Sequence, residues 1–254
     1  MAISKPRRMR ADELLVAQGR CPTRSQARAL ILAGQVRSGP DTVIAKAGQW
    51  VLETVSLEIT AGPRFVGRGG EKLEAYLEKF PLPLAGLHVL DLGASTGGFT
   101  DCVLQRGAAD VTCVDVGHGQ LHARLRADPR VTNLEKINAR ELAAVKLPRE
   151  NYDLVVMDLA FISLTKVLGP AWARVRPGGR LVALVKPQFE ATRAEATAAR
   201  GVIRDPAVQQ RVVTQIHEFA AGLPGAVPAG EMESPVRGGD GNLEFLLGWN
   251  KVIK

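Results

Sequence analysis

The stretch Leu87 to Thr100, LHVLDLGASTGGFT, sets an acid inside an apolar run and a glycine-rich turn directly after it. Leu87, Val89, Leu90 and Leu92 read as a strand; Gly93, Gly97 and Gly98 permit a tight turn and a close backbone approach to a ligand. Ser95 and Thr96 are helix N-cap types, and the bare amides of a helix start favour polar or anionic groups. The turn lacks both the GxxxxGK of a phosphate loop and the GxGxxG of a dinucleotide site. Asp91, just before it, would oppose a diphosphate and suits a cation. S-adenosylmethionine, with its ammonium and sulfonium, is such a ligand. Its candidate binding segment is Asp91, Gly93, Ala94, Ser95, Thr96, Gly97, Gly98 and Phe99.

Further charges stand where a folded α/β chain presents ligands. Asp110 to Val116 reads as a second strand ending at Asp115, roughly 20 residues past the turn, where an acid hydrogen-bonds ribose hydroxyls. Val116 follows it, and Asn138 sits after a third strand, where an adenine contact is expected. Asp158 and Lys186 each end an apolar strand, at the edge where open α/β sheets bind ligands. Lys72 lies at a helix start, and Glu244 interrupts the apolar run Leu243 to Leu247. Singly, each is an ordinary solvated charge or ion-pair partner; only a fold could bring them together.

The 254 residues suffice for one large unit and one small one, and a net charge of +7 favours an anionic partner, nucleic acid first. Cys21, Cys102 and Cys113 are scattered, without a CxxC pair, which suits reduced cytosolic thiols and no zinc. His118 and His122 have helical spacing, but no acid or cysteine completes a ligand set, so no metal is expected. No signal peptide and no apolar run of spanning length is visible, so a cytoplasmic location without membrane contact is expected.

The positive excess concentrates in residues 1–62, which form a separate module. Helices are expected from Asp12 to Gln18, and from Thr23, with Gln26 as a capping box, to Gly34. Arg24 and Arg28, four apart, would project together into solvent. Val36-Arg37 and Thr42 to Ile44 read as strands around a Gly39-Pro40 turn. Arg7, Arg8, Arg10 and Lys5 at the start, with Arg20, Arg24, Arg28 and Arg37, suit contact with a phosphate backbone. Residues 63–69 form a Gly- and Arg-rich linker whose Arg64 and Arg68 could also touch RNA. In residues 70–254 helices alternate with apolar strands, indicating a doubly wound α/β sheet. A helix over 70–80 carries Leu73, Tyr76, Leu77 and Phe80 on one stripe, with Lys72 off it. A helix over 205–221 is expected to turn Val208, Val212, Ile216 and Phe219 inward, before strands over 225–235 and 241–251. The alanine-rich segment 191–201 reads as a mobile loop or short surface helix.

Arg24, Ser25, Ala27, Leu30, Ile31, Gly34 and Val36 match the helix pattern of S4-type RNA-binding domains, which the N-terminal module resembles. Lys72, Asp158, Lys186 and Glu244 resemble the Lys-Asp-Lys-Glu tetrad of FtsJ-type RNA ribose 2′-O-methyltransferases. With RGGEKL, LDLGASTGGFTD, VDVGHGQL, DLAFISL, LVKPQFE, GVIRDP and GNLEF, nearly the whole chain is similar to the TlyA family of ribosomal RNA methyltransferases, once labelled haemolysins. The resemblance implies a class I S-adenosylmethionine-dependent methyltransferase fold, Rossmann-like and mostly parallel, behind a small α+β S4-like domain. It implies cytidine 2′-hydroxyls in ribosomal RNA as acceptors and ribosomal subunits as partners. In that scheme Lys186 removes the hydroxyl proton, Asp158 orients lysine and hydroxyl, Lys72 favours the neutral base and steadies the alkoxide, and Glu244 holds a lysine in place. The alternatives are a cytolysin, a small-molecule or base N-methyltransferase, and a non-catalytic ribosome-binding factor that keeps the fold.

Overall fold

A computed structural model describes residues 7–39, 42–60 and 63–252, and the chain divides into two units at the Arg64–Phe65 bond. In the first unit β1 (Arg8–Arg10) runs directly into α1 (Ala11–Ala17), and α2 (Arg24–Leu32) opens at Thr23, whose hydroxyl accepts the Gln26 amide at 3.2 Å. Gly19 and Gly34 follow the two helices with φ near +67° and +68°, a conformation only glycine adopts freely. Leu14 and Leu15 of α1 and Ala27 and Ile31 of α2 bury against Val36, Ile44 and Leu57. Three very short strands complete the unit: β2 (Val36–Arg37), β3 (Trp50–Leu52) and β4 (Glu58–Ile59). β1 pairs with β3 and β2 with β4, both antiparallel. The strand expected over Thr42–Ile44 contributes a single bridge, Val43 to Arg37. Lys5, Pro40 and the module boundary at Gly62 lie outside the described residues.

Asp12 is fully buried, and a buried carboxylate has to be paired. Arg10 supplies two bonds, at 2.9 and 3.0 Å, and Arg24 a third at 3.2 Å, with Glu13 also 3.1 Å from Arg24. Hydrogen bonding from Arg10 holds the Asp12 carboxyl below its ordinary value. Arg24 is therefore turned back onto its own unit and does not project beside Arg28 as its spacing suggested.

The second unit begins with α3 (Gly69–Lys79), then β5 (His88–Leu92), α4 (Gly98–Gln105), β6 (Asp110–Val114), α5 (Ala123–Arg126) and β7 (Val131–Leu134). It continues with β8 (Tyr152–Met157), α6 (Leu168–Ala173), β9 (Val175–Val185), α7 (Pro187–Glu190) and α8 (Arg193–Ala198). It closes with α9 (Pro206–Ala221), β10 (Ala226–Glu233) and β11 (Phe245–Lys251). The seven strands lie in the order β10-β11-β9-β8-β5-β6-β7. β5 to β9 run parallel, while β11 is antiparallel to both of its neighbours. Successive side chains feed opposite faces, as the pleat requires. Leu154 and Val156 pack with Leu73, Tyr76 and Cys102 of α3 and α4, whereas Val155 and Met157 pack with Trp172, Val212 and Ile216 of α6 and α9. Strand order reverses at β5, so its carboxyl end is the switch point at which such sheets open a crevice.

Three expectations shift. Phe65, placed in the linker, is only 4% exposed and packs beside Leu73 and Tyr76, and the Val66 amide donates to Asp101 at 2.8 Å, so the chain is anchored to the second unit from Phe65 on. In α9 the buried residues are Val212, Val213, Ile216 and Ala220; Phe219 is 39% exposed and Val208 is only half-buried. The apolar residues Val208, Val212, Val213, Ile216, Phe219 and Ala220 span more than one stripe, and packing selects the 212–213–216–220 face. Glu244 lies just ahead of β11 rather than inside it. The segment 191–201 contains α8, a surface helix with a Thr192–Glu195 capping box and no buried residue. The burial pattern of α9 makes a test: Ile216→Ala should lower unfolding stability by about 2–5 kcal/mol, and Phe219→Ala by well under that, about 0.5 kcal/mol, read by chemical denaturation.

Candidate active site

The turn after β5 is held by backbone closeness. Gly93 adopts φ +84°, and a Cβ there would stand 2.5 Å from the Asp158 carbonyl oxygen. Gly97, at φ +94°, is the N-cap of α4, a role the sequence pointed to Ser95 and Thr96 for. A side chain at residue 97 would run into Leu125 and Leu121, and only glycine reaches this conformation cheaply. Ser95 is itself left-handed at φ +48°. Its amide donates to Asp115 Oδ2 at 2.8 Å and its hydroxyl bonds Gln120 at 3.1 Å.

A cavity of about 210 Å³ opens against this turn, lined by Gly93 to Thr96, Gly98 and Phe99, by Asp91, and by Gly69, Asp158, Ala160 and Lys186. Asp91 has no solvent exposure; Oδ2 accepts the Thr100 hydroxyl at 2.6 Å, and Oδ1 has no hydrogen-bond partner. Burial, opposed by the Thr100 bond and reinforced by Asp158 and Asp115, pushes its carboxyl up to about 7. A half-satisfied buried carboxylate in a cavity lining calls for a cation, and an ammonium fits that demand.

The cavity lining does not include Gly97, Asp115, Val116 or Asn138. Asp115 stands just beyond β6 and uses both oxygens on the local backbone, accepting Ser95 and Gly117 amides at 2.8 and 2.7 Å. Val116 beside it is 72% exposed. Asn138 caps a 3-10 turn, its side-chain oxygen accepting the Arg140 amide at 3.1 Å.

The four dispersed charges form two ion pairs at the carboxyl edge of the sheet. Lys186 Nζ lies 2.6 Å from Asp158 Oδ1. Lys72, buried despite lying off the apolar stripe of α3, is paired directly with buried Glu244. Strand register links the pairs: Phe245 opposes Val185, which sets Glu244 one step on, beside Lys186. Gly69 provides a second link, because it opens α3 one turn before Lys72 and a Cβ there would be 3.6 Å from Asp158 Oδ2.

Sequence reasoning missed three side chains next to this edge. Phe161, 91% exposed and left-handed at φ +62°, packs against Phe189 with ring centroids 5.1 Å apart and ring planes tilted by 49°. Both line a cavity of about 460 Å³ together with Arg140, Ile162, Ser163 and Lys166. Glu190, also overlooked, is buried at the end of α7. A signal was available: each aromatic lies three residues after a strand-end charge, Asp158 or Lys186. Of the candidate RNA-contacting arginines, Arg7, Arg8, Arg20, Arg28, Arg64 and Arg68 are exposed, Arg37 is half-buried, and Arg10 and Arg24 are committed to Asp12.

Asp91 also makes a stability test. Its folded pKa lies above the unfolded value, so the folded state holds an extra proton between about pH 4 and 7. Stability is therefore lost as pH rises through that window, and the loss is complete above pH 7. Asp91→Asn should raise the melting temperature of the ligand-free protein at pH 8 and do so less at pH 5, measured by calorimetry at both values.

Residues 65–251 match the FtsJ-like methyltransferase family and residues 9–48 the S4 domain. The chain is 42% identical to the 16S/23S rRNA (cytidine-2′-O)-methyltransferase TlyA of Mycobacterium tuberculosis, over 95% of this chain and 89% of that protein. It is 36% identical to Hemolysin A of Brachyspira hyodysenteriae, over 94% and 98% respectively. A solved structure from Streptococcus thermophilus, described as a hemolysin candidate, superposes with a TM-score of 0.72 at 37% identity, covering 97% of this chain and 89% of that one. The chain belongs to the TlyA family, in which an S4 domain precedes an FtsJ-like methyltransferase domain.

Proposed function

We propose that this protein transfers a methyl group from S-adenosylmethionine to the 2′-hydroxyl of a cytidine in ribosomal RNA. The observation that carries the reading is one cavity lined both by the half-satisfied carboxylate of Asp91 and by the Lys186–Asp158 pair. A site for a cationic donor and a site for a proton acceptor thus share one wall. When bound, S-adenosylmethionine supplies an electrophilic methyl group. Asp91 would hold its ammonium, and Gly93 to Thr96, Gly98 and Phe99 would cradle it; Asp115, Val116 and Asn138, outside that lining, are assigned to its nucleoside by sequence position alone.

The chain's own groups do the rest. Lys186 takes the proton from the sugar hydroxyl, and Asp158 keeps lysine and hydroxyl aligned. Lys72 steadies the negative charge that grows on the oxygen, and Glu244 fixes Lys72. The scheme runs on side chains alone, without a metal ion. Phe161 and Phe189, flanked by Arg140 and Lys166, suit a base taken out of its stack, since an aromatic face accepts any base and the cations meet its phosphates. Arg7, Arg8, Arg20 and Arg28 of the first unit, with Arg37, Arg64 and Arg68, would neutralise backbone phosphate. The cytidine and the ribosomal RNA follow from the named activity of the relative at 42% identity; the cytoplasm, where ribosomal subunits are found, is the corresponding location.

The test is incubation with labelled S-adenosylmethionine and separated ribosomal subunits, followed by mapping of 2′-O-methyl stops. Lys186→Ala should lower the transfer rate by about 10²–10⁴-fold while subunit binding persists; a variant with parental rate would overturn the base assignment. Arg28→Ala should flatten the salt dependence of subunit binding by about 0.7–0.9 in log-log slope, whereas Arg24→Ala should act through loss of the Asp12 clasp and lower the thermal stability of the first unit.

A further inference from the structure

Two loops carry the proton-transfer pair, and they are joined a second time at a distance from it. Asp158 opens the segment after β8, and Lys186 opens the segment after β9. Their ion pair is one tie. Glu190, one helical turn past Lys186 at the end of α7, makes the other: one carboxylate oxygen accepts the Ser163 hydroxyl at 2.6 Å and the other accepts the Leu164 amide at 2.6 Å. Ser163 in turn caps the 3-10 turn that follows, bonding Thr165. Phe161 and Phe189, whose rings meet at a tilt, fall between these two ties along the chain.

A carboxylate is an expensive group to bury for a purely structural purpose. Burial pushes the Glu190 carboxyl up, and its two bonds only partly offset this. The same span could have been closed by apolar contact, as elsewhere along the sheet. What the carboxylate adds is a directional, two-oxygen grip on one amide and one hydroxyl, which fixes the loop in angle as well as distance. We infer that Glu190 is a positioning residue for methyl transfer: by gripping Ser163 and Leu164 it holds the Asp158 segment against the Lys186 segment, and so sets the geometry of the pair that takes the hydroxyl proton. This inference rests on the reading of Lys186 and Asp158 given above.

Glu190→Ala should lower kcat by about 10–100-fold, the loss expected from misplacing a reacting group by about 1 Å. Donor affinity should stay within about twofold, because the Asp91 turn makes no contact with this carboxylate. Glu190→Gln keeps one acceptor for Leu164 and offers an amide to Ser163, so it should recover to within about threefold of the parent. Ser163→Ala, which removes one of the two grips, should fall between. Amide exchange at Leu164 should speed up in Glu190→Ala and not in Glu190→Gln.

Parental kcat in Glu190→Ala, or a glutamine variant as slow as the alanine one, would overturn the inference. If Glu190→Ala does not fold, Ser163→Ala decides: a parental kcat with faster Leu164 exchange would count against it, and a lowered kcat with parental donor affinity would support it. A parent that methylates no RNA would overturn the functional reading and this inference together, whereas an active parent indifferent to both substitutions would overturn this one alone.

Discussion

Ionised groups removed from water must find partners, and that constraint organises both units. In the first, buried Asp12 draws Arg10 and Arg24 onto itself and fixes where β1, α1 and α2 meet. In the second, Lys72 finds Glu244 across 172 residues of chain, and Lys186 finds Asp158. The first pair joins α3 to the approach to β11, and the second extends the β8–β9 ladder past the ends of both strands. Asp91 is the exception that defines the site: it is buried, has one hydrogen bond, and faces a cavity. The demand that Asp12 and Glu244 meet within the protein is left open at Asp91, toward the cavity.

The sheet explains why these groups meet. Parallel strands β5, β8 and β9 deliver their last residues to one edge, and the reversal of strand order at β5 opens that edge. Antiparallel β11 arrives from the opposite direction, so its first residue rather than its last reaches the same place; hence Glu244 precedes its strand while Asp158 and Lys186 follow theirs. Anything that shifted the β9–β11 register by one residue would turn Glu244 to the other face.

Much of this was legible in the residues. The apolar strands of the second unit have clear ends, and a charge immediately past such an end announces itself, as Asp158 and Lys186 do. Glycines that need φ > 0 mark the turn after β5. Other features carry no such mark. In Ser95-Thr96-Gly97, three residues compete as N-cap, and a steric fact, Leu125 against residue 97, decides among them. The face α9 buries depends on what lies opposite, because its apolar residues spread over more than one stripe. The first-unit strands are two or three residues long, too short to show an alternation. Arg10 and Arg24 look like free cations until Asp12, two and twelve residues away, turns out to be buried between them. Glu190 is an ordinary acid in the sequence, and only the approach of the Ser163 segment gives it work.

The missing methyl at Gly93 has one more consequence. With the Asp158 carbonyl only 2.5 Å from where that methyl would be, and Leu159 Cδ2 3.0 Å from it, the turn after β5 and the exit of β8 approach each other closely. A compressible side-chain layer would let one part loosen while the other kept its shape. Here a displacement of either segment would meet the other directly.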